Sequence, residues 1–271
     1  MIEAWDWWRD AATLGLAFVA GVLSGAFSMG GQVLMKPGIR VLGASALDAV
    51  GTTVPMILPT VASATLRYAR EGLVDWAAVR VTGTIGAIGS VAGSIAAPRV
   101  PGQGHVLQIA TALLMLATAT RMLATSGPRP AELAGPGEPV PSTPDVGVSR
   151  RIAAAVGLVS GVISGLLGVG GGVLMVPGFH HAGMSLRRAI ATSLVCGGIF
   201  AVPATITHAV LGTIHWRFAI LLIVGAVPGA RVGASLSLRA SDRRLQLAVG
   251  TLLAIVALAY AAGELVALRN A

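Results

Sequence analysis

Apolar residues in this chain come in long runs rather than in short alternations. Predominantly hydrophobic stretches cover 11–27, 49–66, 81–97, 106–123, 152–167, 189–211, 218–238 and 245–262. At ~1.5 Å per helical residue, most of these approach the ~30 Å hydrocarbon core of a bilayer. The pattern therefore predicts an all-α, polytopic membrane protein.

The stretches fall into two similar sets. GVLSGAFSMGGQVLMKPG, starting at Gly21, returns as GVISGLLGVGGGVLMVPG, starting at Gly161, with eleven of eighteen positions identical. The same offset of 140 residues pairs Gly43 with Gly183, Thr52 with Thr192, Gly72 with Gly212, Trp76 with Trp216 and Gly93 with Gly233. The chain thus reads as two homologous repeats, 11–124 and 152–264. They are joined by 125–151, which holds Pro128, Pro130, Pro136, Pro139, Pro141 and Pro144 and reads as a solvated linker.

Each repeat opens on a segment broken by glycine. Met29-Gly30-Gly31 and Val169-Gly170-Gly171-Gly172 are each followed by a proline, Pro37 or Pro177. Glycine costs ~1 kcal/mol in a helix interior relative to alanine, so such clusters favour an unwound loop between two half-helices. The competing reading, glycines that only allow close helix packing, suits the four-residue ladders Gly89/Gly93 and Gly225/Gly229/Gly233 better. Non-helical backbone at membrane depth requires a protein-lined or polar cavity. The half-helix after each break turns its free N–H groups and positive dipole end toward that cavity, an arrangement suited to an anion. About three spanning helices follow each break. If the broken segment is a re-entrant hairpin, the repeats are inverted, which the short half-helices favour; if it crosses the membrane, the repeats are parallel, four crossings each.

Composition narrows the function classes. Hydrophobic residues make up 55% and charged residues 11%, and mean hydropathy is +0.81. The formal net charge of +8 is carried by single or paired Lys and Arg between apolar stretches, with no basic face for nucleic acid. The one cysteine, Cys196, excludes an internal disulfide or a multi-cysteine metal site, and His180-His181 lack neighbouring acids for metal binding. No nucleophile with its base is assembled, so a membrane-embedded enzyme is the weaker alternative, and no cofactor or metal is expected. No carboxylate lies deep in an apolar stretch, which leaves no visible proton relay or charged sodium cage.

The candidate ligands flank the breaks. They are Ser28, Gly30, Gly31 and Gln32 in the first copy, Gly170, Gly171 and Gly172 in the second, and Lys36, which shares a helix face with Gln32 or else snorkels to the interface. Thr52-Thr53 and Thr192-Ser193 offer uncharged hydroxyls, unless they bond their own backbone. Arg231 lies about two turns inside its segment, where an ionised side chain marks either the site or an interfacial anchor.

The second copy resembles a known family. Gly165-Leu166-Leu167-Gly168-Val169-Gly170-Gly171-Gly172 followed by Pro177, then Gly183 and Ala191-Thr192-Ser193, is similar to the TauE/SafE sulfite-exporter family of permeases. The first copy departs from that pattern at Ser28, Gln32, Lys36 and Thr53. The resemblance implies a multi-pass plasma (inner) membrane transporter of sulfite or a related small sulfur-containing anion, such as an organosulfonate or thiosulfate. A permease for another small organic anion is the alternative. The expected partners are the anion and the lipid bilayer, with a homodimer as the default assembly.

Overall fold

The computed structural model describes residues 7–28, 31, 35, 46–96, 105–124, 148–167, 171–210, 212, 214–241 and scattered positions between 243 and 261. The helices are α1 (Trp7–Phe27), α2 (Ala46–Arg70), α3 (Trp76–Ala96), α4 (His105–Ala124), α5 (Arg150–Leu167), α6 (Gly172–His181), α7 (Leu186–Val210) and α8 (Trp216–Arg239). No strand occurs among the described residues. Further helical residues recur between 243 and 261. Four helices, α1, α3, α7 and α8, are long and apolar enough to cross a membrane. Residues 125–147 of the Pro-rich linker, Gly30, Gln32, Lys36 and Gly170 lie outside the described residues.

Small residues set the packing. α1 lies against α8 with Gly21 on the backbone of Ala226 and Gly25 on that of Ala230, and α5 lies against α3 with Gly161 on Gly86 and Gly165 on Ser90. The second set of partners is the first shifted by 140 residues. In lipid, helices associate through such close backbone approach, because apolar burial gives no net drive between them. α7 crosses α2 where Gly198 meets Val61, and α6 packs on α7 and α5. Met175, Phe179, Ile190 and Phe200 fill the centre of the larger core.

The break after α5 is a reversal. Gly178 of α6 packs on Val156 of α5, the added Cβ lying 3.1 Å from its methyl group. A continuous helix would hold these two residues about 33 Å apart. In the other copy Gly31 packs on the carbonyl of Ala20, and Met35 is buried in one cluster with Ala17, Ala20 and Met56.

Contacts also define two ends of the bundle. At one, Arg217 at the start of α8 pairs with Asp10 at the start of α1 (2.7 Å), and the His215 N–H donates to Thr52 near the start of α2 (3.1 Å). At the other, Thr82 of α3 donates to the Ala153 carbonyl of α5 (2.9 Å), the Asp75 N–H donates to Thr192 of α7 (3.1 Å), and Arg187 of α7 donates to the Ala240 carbonyl closing α8 (2.6 Å).

Candidate functional site

The end of α1 and the start of α6 meet. α1 ends because Ser28 takes a left-handed conformation, φ 55°, with its N–H still donating to the Ser24 carbonyl at 2.8 Å. A non-glycine residue there bears a steric cost, and the equivalent position of the other copy is Gly168. Gly172, the first residue of α6, abuts Ser28 so closely that a Cβ on it would run into the Ser28 carbonyl and sit 3.1 Å from the Ser28 Oγ. That Oγ is buried and has no hydrogen-bond partner.

α6 itself opens uncapped. Gly171 occupies the N-cap with no side-chain bond, and its carbonyl accepts the N–H groups of Leu174 (3.2 Å) and Met175 (3.0 Å). The N–H groups that open an α-helix have no intrahelical acceptor, and here they lie beside an unpaired hydroxyl. Phe200 of α7 forms a wall, its ring touching both Gly171 and Gly86 of α3. The tip thus combines backbone donors, one hydroxyl, a positive helix end and an aromatic wall.

The carbonyls left free where α1 stops are partly satisfied as well. Tyr68, fully buried, donates its hydroxyl to the Gly25 carbonyl at 2.7 Å. No motif marks this tyrosine in the sequence.

The two hydroxyl pairs are buried but divide in role. Thr52 accepts the His215 N–H and Thr192 accepts the Asp75 N–H, both at 3.1 Å, each tying the start of one helix to the turn before another. Thr53 is fully buried. Ser193 is fully buried with an unpartnered Oγ, on the same stripe of α7 as Phe200. Arg231 is exposed on α8, where its Nε donates to Ser63 of α2 at 3.0 Å. The structure therefore brings Ser28, Gly171 and Gly172 together, with Gly31 on the turn side of α1, and sets Arg231 on the outside of the helix pair.

Asp75 belongs to no motif in the sequence. It caps α3, its Oδ1 accepting the N–H groups of Ala77 and Ala78 at 3.0 Å, and pairs with Arg188 at 3.4 Å. The usable signal was the repeat offset, which sets Asp75 opposite His215, the N-cap of α8.

Comparison with known proteins points to membrane transporters. The family model described as sulfite exporter TauE/SafE matches residues 13–260. The probable membrane transporter protein YunE of Bacillus subtilis (strain 168) is 24% identical over 258 residues, covering 89% of this chain and 93% of its own. A probable membrane transporter protein of Xylella fastidiosa (strain 9a5c) is 27% identical over 253 residues, 91% and 92% of the two chains. The probable membrane transporter protein MamO of Magnetospirillum gryphiswaldense is 31% identical over 259 residues, 85% of this chain but 41% of that longer protein. No solved structure matches the chain.

Proposed function

This chain belongs to the sulfite exporter TauE/SafE family of membrane transporters, and on that premise we propose that it exports sulfite or a related small sulfur-containing anion, binding it where the two glycine-rich helix breaks meet. One observation carries the reading: the buried, unpartnered hydroxyl of Ser28 lies against Gly172, at the open N-terminus of α6. A buried hydroxyl without a partner is costly, and a bound oxyanion supplies the missing acceptor. The helix end adds roughly +0.5 charge, and the half-helix that follows Gly31 adds a second such end if it is built alike. Together they match a monoanion.

The architecture behind this reading is a pair of inverted repeats. α1, α2 and α8 start at one end of the bundle, whereas α3, α5 and α7 start at the other. Each helix then runs opposite to its counterpart at the 140-residue offset, α1 to α5, α2 to α7 and α3 to α8. The reversal between α5 and α6 supports a re-entrant hairpin, which leaves three crossings per repeat. The end where α3, α5 and α7 start holds eleven of the described arginines, including Arg150, Arg151, Arg187 and Arg188, against Arg9 and Arg217 at the other end. By the positive-inside tendency that end faces the cytoplasm of a plasma membrane, and the Pro-rich linker, which leads straight into α5, lies with it.

Energy for export needs no coupling ion on this reading. An inside-negative potential favours outward movement of an anion by ~2.3 kcal/mol per charge per 100 mV, about fiftyfold in concentration. A site built of partial charges and hydroxyls handles a singly charged or protonatable anion at lower desolvation cost than an obligate dianion. Purified protein in liposomes is therefore expected to pass sulfite faster than sulfate. Faster flux of sulfate, or of a neutral sugar, than of every sulfite or sulfonate species would overturn the assignment.

A further inference from the structure

Arg231 is the charged residue that the hairpin site leaves unused. It lies eight residues before the end of α8 at Arg239, about 12 Å along the axis. α8 spans about 36 Å, exceeding a ~30 Å hydrocarbon core by about 3 Å at each end, so the Arg231 backbone sits about 9 Å inside the boundary. Its guanidinium is exposed, and it has no acidic partner among the described residues. A charge at such a depth demands a compensating group, and snorkelling recovers only part of the distance.

We propose that Arg231 and Ser63 form a binding site for the phosphate of an anionic lipid, in the groove between α2 and α8 and in the leaflet at the arginine-rich end. The orientation of the guanidinium is built in. Arg231 Nε donates to Ser63 Oγ at 3.0 Å, and Ser63 Oγ in turn donates to the Val227 carbonyl at 3.2 Å. Ser63 is buried, so this relay pins the guanidinium plane against the helix pair while neither Nη group bonds another of the described residues. A guanidinium held through Nε presents the planar fork that matches two phosphate oxygens. The exposed neighbours on the same faces of the two helices are Leu66 and Val224, which suit acyl chains, and Arg67, one turn beyond Ser63, whose charge is engaged by Glu71 at 3.6 Å. The groove opens toward the end with the excess of arginines, which the positive-inside tendency assigns to the cytoplasmic leaflet, where anionic lipids concentrate.

The test uses the full-length protein in detergent, with thermal unfolding followed while dioleoylphosphatidylglycerol or dioleoylphosphatidylcholine is added. Wild type should gain more from the anionic lipid. Arg231→Gln should weaken its apparent affinity for that lipid about tenfold, as expected for loss of a bidentate charged contact. Arg231→Lys should fall between the two, because it keeps the charge and loses the fork. Arg243→Gln, at the same end of the bundle but in no such relay, should change the affinity less than twofold. If Arg231→Gln does not fold, Ser63→Ala carries the test, since it keeps the cation and frees its plane, and it should lose at least threefold. The proposal is overturned if Arg243→Gln weakens the lipid as much as Arg231→Gln or Arg231→Lys, or if Ser63→Ala leaves it unchanged. It is equally overturned if sulfite stabilises wild type but not the Arg231 variants while the lipid response persists, which would return the arginine to the transport site.

Discussion

Ser28 separates the strain of the helix break from the chemistry of the site. A left-handed conformation costs an L-residue about 1–2 kcal/mol, and replacing it by glycine recovers that while adding about 0.5–1 kcal/mol of backbone entropy loss. Ser28→Gly should therefore stabilise the protein by about 0.5–1 kcal/mol, which raises the unfolding midpoint by roughly 2 °C for a chain of this size. The same change removes the Oγ that lies unpartnered against Gly172. A hydrogen bond to a charged group contributes about 1.5–3 kcal/mol, so sulfite affinity should fall about tenfold to 150-fold. Ser28→Ala loses the same hydroxyl and keeps the strain, so it should show the same affinity loss with an unfolding midpoint below that of Ser28→Gly. Both are read by thermal unfolding in detergent and by the concentration dependence of sulfite efflux from proteoliposomes. Wild-type affinity in both variants would refute the assignment of this hydroxyl to the anion, and a lowered midpoint in Ser28→Gly would refute the strain argument.

Three further outcomes follow from the same contacts. Gly172→Ala should insert into the membrane yet lose sulfite flux, because its Cβ collides with the Ser28 carbonyl; normal flux would sink the meeting of the two breaks. Thr192→Val should destabilise by about 1–3 kcal/mol through an orphaned buried N–H, and Thr52→Val by less, because the His215 N–H is only partly buried and water can replace the bond; changed anion affinity at unchanged stability would make these hydroxyls ligands instead. In a Cys196→Ala background, a cysteine at Ser142 of the linker should react with an impermeant maleimide only from the cytoplasmic side, and one at Trp7 only from outside; labelling of both from one side would exclude inverted repeats with three crossings each.

The broken segment was readable because three glycines in a row leave a helix no reason to continue, and the structure ends α5 at Leu167 and resumes at Gly172. Its reversal was less readable, since length alone does not tell a hairpin from a kinked span. Which helix faces which was not readable at all. The ladder Gly225/Gly229/Gly233 marks the packing face of α8, but nothing in it names α1 as the helix that covers it. The same gap explains Thr52 and Thr192, which look identical whether a hydroxyl meets a substrate, its own turn or the N–H of a residue far along the chain. Arg231 posed the converse problem, because depth along α8 is visible in sequence and azimuth is not.

The two copies differ where a single shared site would let them differ. Residues that tie one copy to the other are the same in both: Gly21 and Gly161, Gly25 and Gly165, Gly93 and Gly233, Thr52 and Thr192. Each of these contacts occurs twice, so a side chain unfit for it would fail at two places in the bundle. Gly72 and Gly212 behave likewise, holding φ of 66° and 67° in matching turns. The breaks are under no such constraint, because on the inverted reading they face one cavity from two sides and one anion needs only one full set of donors. The second copy keeps its glycines and contributes bare N–H groups at α6. The first has Ser28, Gln32 and Lys36 at three matching positions, and on the proposed reading these add a hydroxyl, an amide and a cation. A site with backbone donors on one side and side chains on the other distinguishes the two ends of an asymmetric anion, such as the pyramidal sulfite ion or a sulfonate with an organic tail. Two identical glycine turns would hold it equally well in either direction.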